Sequence, residues 1–597
     1  GRRRRIHRQA GRGLLSAGRL GEAAPHFVRS AEPGDDEAVE VLRQAVRQAE
    51  EGGAFQEALT ILASLVEILP AGDPRWEKVV DALSWEAQWV VEHQAGGYAV
   101  LGIGALRAMD GALDGIADPA RRAPVKLRLA SFLAWGTGEL PEAERVCRDA
   151  AALFEEAGDR RGALLAAHEL AWILGLQGDM RTLEDRARDL ARIGAAVGDQ
   201  VVRARAMWTV AWATMWRGRF EESRAARAEL IATARAQNDR YHLVLTLLNS
   251  GLAEVIQGRT AESLSLLEEA RAIAEVSPEI GSPGHEIVIP VLAGEFRQAL
   301  PWVRRGTGAS TFTLSRRFGW GVAMAAVAAA QMGELGEARR HLTTARATYG
   351  DRIWTFYSEY IHYAEGVLRW REGRPAEAVA CLTTFVTRLA AMEVVAALPG
   401  LVDLAEITGR LGEPAEAAVA GLAELADRSG LDCHHGLTAL ASGWIGLGTG
   451  NRRSAAGHGR RAVALLSDAW PFYLGRAHEV VGLSADDRSE AVEALRAAAG
   501  IFDACGAVFH RDEALDRLAQ LGSQGKRAAA AVRGPGSLTP RELEVARLAA
   551  AGYSAREIGE RLFIGERTVE GHLARAYAKL GVASKIELSR RAVDLGL

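Results

Sequence analysis

A six-residue phrase, Gly-x-x-x-(Glu/Gln)-(Ala/Ser), recurs along most of the chain, and neighbouring clear copies stand about 36–40 residues apart. The clear copies occupy residues 18–23, 53–58, 138–143, 218–223, 258–263, 294–299, 333–338, 373–378 and 412–417. Looser copies begin at Gly178, Gly450 and Asp486, and a degraded copy begins at Gly97. A period of this length is typical of stacked helical hairpins, each of which needs its neighbours to bury its apolar face. The repeat therefore predicts an all-α array.

Each position of the phrase has a physical role in such an array. Glycine ends one helix in a left-handed turn. The Glu carboxylate favours the positive end of the next helix, and the Ala or Ser lets the two helices pack closely. With these features the chain resembles tetratricopeptide-like (TPR-like) repeats over roughly residues 10–520. The resemblance implies a superhelical domain over residues 1–521 that presents a long concave face to a partner.

Many of the tryptophans fall inside these repeats at helical spacing. Trp208, Trp212 and Trp216 stand at i, i+4 and i+8, and Trp85 and Trp89 at i and i+4. Stripes of this kind usually pack between helices, and we favour that interpretation. The alternative is an aromatic wall that lines a ligand site inside the superhelix.

Two segments interrupt the helical pattern. Residues 276–284 contain two prolines and two glycines and predict an irregular loop. Residues 522–537 have Gly, Pro and Ser at their ends and predict a flexible linker between the repeats and a C-terminal domain.

Three stretches in the segment 538–597 read Ser/Thr-x-x-Glu directly before an apolar run. In such a capping box the hydroxyl accepts a backbone N–H of the first helical turn, and the Glu accepts the N–H of the cap residue. The predicted pairs are Thr539 with Glu542, Ser554 with Glu557, and Ser584 with Glu587. Another helix starts near Gly565, so this segment predicts a small four-helix domain. Two short helices joined by a tight turn are the layout of a DNA-reading helix-turn-helix.

The third of these helices carries three distinct faces. Its apolar stripe, which should pack on the domain core, comprises Val569, Leu573, Ala576, Tyr577 and Leu580. A polar stripe suited to DNA phosphates comprises Thr568, His572, Arg575 and Lys579. The remaining face, small enough to enter a major groove, comprises Arg567, Gly571, Ala574 and Ala578, with Glu570 beside it. A carboxylate such as that of Glu570 can accept a hydrogen bond from a cytosine amino group.

The order of motifs in this segment is similar to the LuxR-type helix-turn-helix. The matching runs are LTPRELEV at 538–545, GYSAREI at 552–558, RTVEGHL at 567–573 and KLGV at 579–582. The resemblance implies that the third helix reads the major groove and that the fourth, from Ser584 to about Leu595, carries much of a dimer contact. The predicted base-facing residues are Arg567, Glu570, Gly571 and Ala574. The predicted DNA-backbone contacts are Ser554, Thr568, His572, Arg575, Lys579 and Lys585.

Three positions depart from the family pattern. Gly565 replaces the usual Ser cap of the third helix and loses the side-chain bond of that cap. Gly559 stands in a helix interior where the family usually has Ala, and we expect it to cost up to about 1 kcal/mol. Glu570 stands where many members carry Lys, which bears on the operator sequence that is read.

Composition limits the function classes. The net charge of −4 excludes a protein that is basic throughout, so nucleic-acid contact must be local. From position 538 onward, ten Lys and Arg side chains stand against eight Asp and Glu. No apolar run approaches the ~20 residues of a membrane span, so no membrane partner is expected.

Cysteine usage points to a reducing compartment. The four cysteines show no CxxC pairing and predict reduced thiols in a cytoplasmic protein, nucleoid-associated when it is bound to DNA. The run Cys433-His434-His435 has no second ligand pair nearby, so we do not predict a metal site there.

Motifs for nucleotide binding or catalysis are missing from the sequence. We find no Gly-x-x-x-x-Gly-Lys-(Ser/Thr), no Gly-x-Ser-x-Gly and no His-Glu-x-x-His. We therefore predict no cofactor, no nucleotide hydrolysis and no enzymatic activity for these residues. The pairing of repeats with a LuxR-type end resembles the large ATP-binding LuxR (LAL) regulators, whose N-terminal part is a P-loop nucleotide switch. That resemblance implies that an ATP-binding domain either precedes these residues in a longer protein or has been lost.

Two functions remain in competition. The first is a transcription activator that binds double-stranded DNA as a homodimer and acts with RNA polymerase. In this hypothesis its repeats sense a small-molecule or protein effector. The second is a TPR-like interaction scaffold whose C-terminal helical module has lost DNA affinity. Glu570 and the weak basic balance of the C-terminal segment favour the second hypothesis.

Overall fold

The computed structural model describes residues 1–51, 55–69, 73, 75, 79, 107, 110, 119–275, 283–299, 316–349, 355–413, 415–467, 469–521, 538–562, 564–593, 595 and 597. The chain divides into two compact units. Unit 1 comprises Gly1–Ala330, Glu334–Ile407 and Glu416–His435, and unit 2 comprises Gln331–Gly333, Thr408–Ala415 and Gly436–Leu597. Within the described residues every regular element is a helix, as the repeat predicts.

The helices up to residue 275 are α1 (Arg2–Ser16), α2 (Leu20–Ser30), α3 (Asp36–Glu51), α4 (Phe55–Ile68), α5 (Pro119–Ser131, continued by a π-helical turn, Phe132–Thr137), α6 (Leu140–Glu156), α7 (Arg160–Leu176), α8 (Met180–Val197), α9 (Gln200–Trp216), α10 (Phe220–Ala236), α11 (Arg240–Ile256) and α12 (Thr260–Glu275).

The later helices of the repeat array are α13 (Pro283–Ala293), α14 (Arg316–Gln331), α15 (Leu335–Tyr349), α16 (Thr355–Arg371), α17 (Pro375–Ala390), α18 (Leu398–Leu411), α19 (Glu416–Ser429), α20 (Asp432–Gly448), α21 (Arg452–Leu466), α22 (Pro471–Ser484), α23 (Arg488–Cys505) and α24 (Val508–Gln520). The C-terminal module contains α25 (Pro540–Ala550), α26 (Ala555–Leu562), α27 (Glu566–Leu580) and α28 (Lys585–Arg591).

The glycine of the phrase does end each helix in a left-handed conformation. Positive φ angles occur at all the phrase glycines within the described residues: Gly18, Gly138, Gly178, Gly218, Gly258, Gly294, Gly333, Gly373, Gly412 and Gly450. Gly53 and Gly97 lie outside those residues. Because glycine adopts positive φ at little cost, most of these turns need only two or three residues, and consecutive helices pack against each other as hairpins.

The small residue that ends the phrase is buried against the preceding helix. Ala143, Ala338 and Ala378 are fully buried. Where serine takes this place it bonds to the neighbouring backbone: the Ser263 hydroxyl donates to the Gly251 carbonyl at 2.6 Å, and the Ser223 hydroxyl donates to the Ala211 carbonyl. The predicted close packing is therefore confirmed at these copies.

One copy of the phrase is out of register. Most of the helices that follow a phrase glycine begin two residues after it, whereas α19 begins at Glu416, four residues after Gly412. The longer turn moves the buried position along the helix, so Ala417 is exposed and Ala418 is buried. The prediction that Ala417 packs against the preceding helix is wrong for this reason.

Aspartate caps reinforce the period in the middle of unit 1. The side chains of Asp159, Asp199 and Asp239 each accept a backbone N–H from the first turn of α7, α9 and α11. These caps stand forty residues apart in the sequence. Each satisfies a donor that would otherwise lack an intrahelical partner at the helix start.

Unit 1 also contains contacts between residues far apart in sequence, centred on Glu393. The Glu393 carboxylate accepts hydrogen bonds from Arg181 at 3.1 Å and Arg217 at 3.0 Å, and its backbone carbonyl accepts one from Arg428 at 2.7 Å. Glu393 has φ 56°, which is uncommon for a residue other than glycine. Beside it, Val395 lies over the turn at Gly218, where a Cβ atom would come within 3.2 Å of its methyl group.

The Cys433-His434-His435 run belongs to the same set of contacts. The Cys433 thiol donates to the Gln257 carbonyl at 3.2 Å, and His434 Nε2 lies 2.9 Å from the Ile256 carbonyl. Burial lowers the pKa of His434 to about 4, so its imidazole is neutral. These side chains hold the start of α20 against the end of α11, and that packing accounts for their burial.

Other sequence predictions have mixed outcomes. The irregular loop was predicted for 276–284, but Pro283 and Gly284 form the first turn of α13, and the prediction is wrong for these two residues. Proline suits that position because its missing N–H has no intrahelical partner there. Residues 276–282, the linker 522–537, Trp85 and Trp89 lie outside the described residues.

Over the part of the chain that the structure covers, none of the helices combines the length and the apolar character that a membrane span requires.

Unit 2 depends on a close helix crossing at Gly409. A Cβ atom at this buried position would lie 2.6 Å from the Trp444 carbonyl oxygen. Because that oxygen belongs to a helix backbone, it cannot move without shifting the helix. Glycine is therefore required where these two backbones approach.

We expect Gly409→Ala to destabilise the protein by about 1–3 kcal/mol, since overpacking outweighs the higher helix propensity of alanine. Gly457→Ala is the matched control, because Gly457 is exposed on α21 and a Cβ there would meet nothing within 4 Å. The control should be neutral or stabilising by up to about 1 kcal/mol. Thermal unfolding followed by circular dichroism checks both, and equal melting temperatures would contradict the crossing.

Candidate nucleic-acid interface and an aromatic cavity

The C-terminal module is a small helical domain with its own apolar core. α25 packs on α26, α27 and α28, and α26 packs on α27. The buried side chains at the centre of this core are Val545, Ala549, Ile558, Val569, Ala576, Leu580 and Leu588. This arrangement confirms the predicted four-helix domain. One face of α27 packs on its core, and the opposite face is exposed.

Two of the three predicted capping boxes are complete. Glu542 N–H donates to the Thr539 hydroxyl at 3.2 Å, and Thr539 N–H donates to the Glu542 carboxylate at 3.0 Å. Ser554 and Glu557 repeat the pattern at 3.3 and 2.7 Å. These bonds satisfy backbone donors at the starts of α25 and α26.

In the third predicted capping box, the Glu carboxylate bonds the residue before the cap. Glu587 N–H donates to the Ser584 hydroxyl at 3.3 Å, but the Glu587 carboxylate accepts from Ala583 N–H at 2.8 Å instead of from the cap residue. The prediction that Glu587 reaches back to Ser584 itself is therefore wrong, because the extended backbone at Ser584 turns the preceding N–H toward the carboxylate.

The faces of α27 lie as the spacing predicts. Val569, Ala576 and Leu580 are buried, and Leu573 and Tyr577 pack against the same core. The predicted base-facing residues, Arg567, Glu570, Gly571 and Ala574, are all exposed on the outer side. The helix begins after Gly565, which acts as a cap without a side-chain bond. A helix with a small, exposed face of this kind is able to lie in a major groove.

The polar stripe of α27 is partly held by α25. The Lys579 ammonium donates to the Glu542 carboxylate at 2.7 Å, and Arg575 Nε lies 3.6 Å from the other carboxylate oxygen. Burial alone would raise the pKa of Glu542, but hydrogen bonds from Lys579 and Thr539 outweigh it and leave that pKa lowered. Glu542 was predicted only as a cap, so sequence spacing missed that it also ties α25 to α27.

The other predicted backbone-contact residues lie around the same edge. Ser554 and Thr568 are exposed, and the Lys585 ammonium donates to the Gly552 carbonyl at 2.7 Å. Burial and then the nearby Arg575 charge lower the pKa of His572, which favours its neutral imidazole in the absence of DNA. In that form the ring can still form a hydrogen bond with a phosphate.

A close contact explains why glycine stands at position 559, in a helix where its propensity is unfavourable. A Cβ atom there would lie 2.7 Å from the Ile564 carbonyl oxygen, in the turn between α26 and α27. Ile564 N–H in turn donates to the Gly559 carbonyl at 3.0 Å. In this chain glycine lets that turn close tightly on α26.

The fourth helix is shorter than predicted. α28 ends at Arg591, not near Leu595, although Leu595 N–H still donates to the Arg591 carbonyl at 2.9 Å. Two large apolar side chains of this region lie on the surface: Ile586 on α28 is 68% exposed, and Val593 after it is 93% exposed.

A second candidate site lies inside unit 1. Two adjoining cavities share Trp208, Trp212 and Asn249. The larger is lined by Trp135, Trp172, Leu176, Trp208, Trp212, Leu245, Asn249, His285, Trp320 and Tyr357. The smaller is lined by Trp208, Ala211, Trp212, Met215, Arg227, Leu230, Thr246 and Asn249.

Hydrogen bonds fix two of the indoles that line the larger cavity. The Trp172 indole N–H donates to the Thr209 hydroxyl at 2.9 Å, and the Trp212 N–H donates to the Tyr357 hydroxyl at 3.1 Å. The rings of Trp172 and Trp212 lie with centroids 4.9 Å apart. With their N–H groups occupied, these indoles present chiefly their apolar faces to a ligand.

The tryptophan stripe thus fits both of its interpretations. Trp216 is 1% exposed and packs between helices, as favoured, whereas Trp208 is half-buried and lines both cavities. Sequence spacing within one helix did not find Trp172. Alignment of the repeats with one another indicates Trp172, because Trp172 and Trp212 each stand six residues before a phrase glycine.

Comparison with known families decides the nature of the C-terminal module. Residues 536–592 match the model of the bacterial regulatory proteins of the luxR family. The module is a LuxR-family helix-turn-helix domain.

Relatives of the LuxR-family domain are regulators by name. A Mycobacterium bovis protein named as an HTH-type transcriptional regulator is 44% identical over 110 residues, which cover 18% of this chain and 12% of that protein. The oxygen regulatory protein NreC of Staphylococcus aureus is 49% identical over 51 residues, which cover 8% of this chain and 24% of NreC. The chain thus spans only a small part of these relatives.

Among solved structures, the chain is similar to one from the crystal structure of the APC/C hetero-tetramer Cut9-Hcn1. The identity is 12%, the TM-score is 0.47, and the overlap covers 82% of this chain and 95% of the other.

We expect Glu542→Gln to destabilise the LuxR-family domain by about 1–3 kcal/mol at pH 7, because two cations and a cap lose a charged acceptor. The folded-state pKa of Glu542 is lowered, so its contribution is complete above the unfolded value near 4.3 and is lost as the pH falls through the folded value. The difference between variant and wild type should therefore shrink toward pH 3.

Hydrogen exchange of the α27 amides, followed by mass spectrometry and normalised to intrinsic rates, measures this difference in the whole chain. Glu557→Gln is the matched control, because the same substitution there affects an exposed box without a cation bridge to α27. Equal effects of the two substitutions would contradict a special role for Glu542.

Proposed function

We propose that this protein is a sequence-specific, DNA-binding transcription regulator. The observation that carries the proposal is the outer face of α27, where Arg567, Glu570, Gly571 and Ala574 are exposed opposite the apolar stripe that packs on the domain core. The names of the mycobacterial and staphylococcal relatives support the same class of function. α27 lies in the major groove, and small side chains let its backbone approach the base edges.

Some residues around α27 contribute to the affinity for DNA, and others contribute to sequence specificity. Thr568, Arg575 and Lys579 contact phosphates and set the register of the helix on the duplex. Ser554, His572 and Lys585 add contacts at the edge of the groove. Glu570 accepts a hydrogen bond from a cytosine amino group and so contributes specificity instead of affinity.

The regulator binds DNA as a homodimer. Ile586 and Val593 are the large apolar side chains that α28 and the turn after it leave exposed, and a second copy would cover them. Two α27 helices then meet half-sites about one helical turn apart on a pseudo-palindrome. RNA polymerase is the partner through which a bound dimer would activate transcription.

The repeat array serves as the sensor of this regulator. An effector changes DNA binding only if it binds two states of the array with different affinities. The cavities of unit 1 offer a place for such a molecule. As in the large ATP-binding LuxR regulators, a nucleotide-binding domain would act in a longer form of the protein, while the residues described here supply no P-loop motif.

Selection of bound duplexes from a random DNA pool by the whole chain tests the proposal. We expect enrichment of a pseudo-palindrome, no enrichment with Ala574→Glu, and a changed base pair in each half-site with Glu570→Lys. Ala551→Glu is the control, because Ala551 is exposed on the same domain away from α27. Failure of the wild type to enrich any sequence would favour the scaffold hypothesis instead.

Salt dependence provides a second test of the docking mode. A dimer that makes about six phosphate contacts should lose on the order of a thousandfold in affinity between 50 and 200 mM salt. Arg575→Gln should reduce the slope of log affinity against log salt by about two, one for each subunit. Fluorescence anisotropy with the selected duplex measures the slope, and an unchanged slope would remove Arg575 from the interface.

A further inference from the structure

The aromatic cavities of unit 1 contain one buried cation. Arg227 on α10 lines the smaller cavity and is 3% exposed. Its Nη1 donates to the Ser223 hydroxyl, but its buried Nη2 makes no hydrogen bond to any described residue. The nearest carboxylate oxygen, Glu254 Oε1, lies 3.6 Å from Nη2. A guanidinium N–H in that position favours an acceptor supplied by a ligand.

The ion pairs around Arg227 leave it less well paired than the neighbouring arginines. Glu254 is shared by three arginines, since Arg224 lies 3.4 Å and Arg259 3.0 Å from its other oxygen. Arg224 also pairs with Glu221 at 3.1 Å, and Arg259 lies 4.0 Å from Glu262. Burial lowers the pKa of Arg227 to about 10, which still leaves it charged at neutral pH. A buried guanidinium whose nearest carboxylate lies beyond hydrogen-bond distance gains stability when an anion joins it.

The larger, neighbouring cavity has a different chemical character. Its walls are chiefly indole faces, with Trp208 and Trp212 common to both cavities. Indole faces favour flat aromatic rings in offset or tilted contacts. Asn249 and Arg227 line the smaller cavity, beside the place that such a ring would take.

We propose that these joined cavities bind a planar aromatic carboxylate. The ring packs between Trp208 and Trp212, and the carboxylate accepts charge-assisted hydrogen bonds from Arg227, a geometry in which the planar guanidinium favours carboxylates. As the identity of the effector, the inference rests on the proposed regulatory function. As a binding site, it stands on the geometry of unit 1 alone.

Isothermal titration calorimetry of the whole chain with three matched probes tests the site. The probes are 2-naphthoate, neutral 2-naphthalenemethanol and cationic 2-naphthylmethylammonium, which share one ring system and differ in charge. We expect 2-naphthoate to bind at least tenfold more tightly than the alcohol, and the ammonium probe to bind most weakly. Equal affinities for the three probes, or no binding of 2-naphthoate up to millimolar concentration, would overturn the proposal.

Two variants locate the binding. Arg227→Met should remove the preference for 2-naphthoate over the alcohol, and Trp208→Ala should weaken all three probes at least tenfold. Arg259→Met is the matched control, because Arg259 contacts the same Glu254 but does not line either cavity. Circular dichroism confirms folding, and the selectivity of the wild type decides the matter if a variant does not fold. A preference that survives in folded Arg227→Met would overturn the proposal.

DNA binding measured on the same samples separates the two proposals. Binding of 2-naphthoate without sequence-selective DNA binding would leave the cavity site standing and refute the regulator. Selective DNA binding without any binding of 2-naphthoate would do the reverse.

Discussion

Close backbone approach at a left-handed glycine is the constraint on which the repeat array depends. Gly218 ends α9, and five residues later Ser223 on α10 reaches back to bond the carbonyl of Ala211. Only a small residue fits at that point, so each hairpin closes tightly on one side. Ala211 also lines the smaller cavity together with Trp208 and Trp212, and Ser223 accepts a hydrogen bond from Arg227, which lines it too. The close approach of α9 and α10 therefore lies beside the aromatic cavities and holds Arg227 at their edge.

Local features of the fold followed from the sequence, because their causes are local. A phrase of six residues specifies a turn and the start of a helix, and spacing along α27 specifies which side chains face the core. Ser554 and Glu557 form their box for the same reason. The errors also have local causes: the longer turn after Gly412 shifts Ala417 outward, and the extended backbone at Ser584 redirects Glu587.

Contacts between distant residues could not be predicted in the same way. Nothing in the phrase indicates that Glu393 would meet Arg181 and Arg217, or that Glu542 would hold Lys579. Such pairs depend on how many repeats separate two helices and on the rotation between them, which hydrophobic periodicity does not encode. Arg227 was missed for a further reason, since an arginine on an amphipathic helix usually lies in solvent.

The Glu393 cluster has a consequence for how unit 1 folds. In a simple solenoid each repeat touches only its neighbours, so helices fray from either end one repeat at a time. Here an ion pair joins residues 212 positions apart, and two further arginines meet the same residue. Forming it costs the closure entropy of a long loop, and its high contact order slows folding. α8, the turn after α9 and α19 therefore cannot separate from the segment at Glu393 without breaking these contacts.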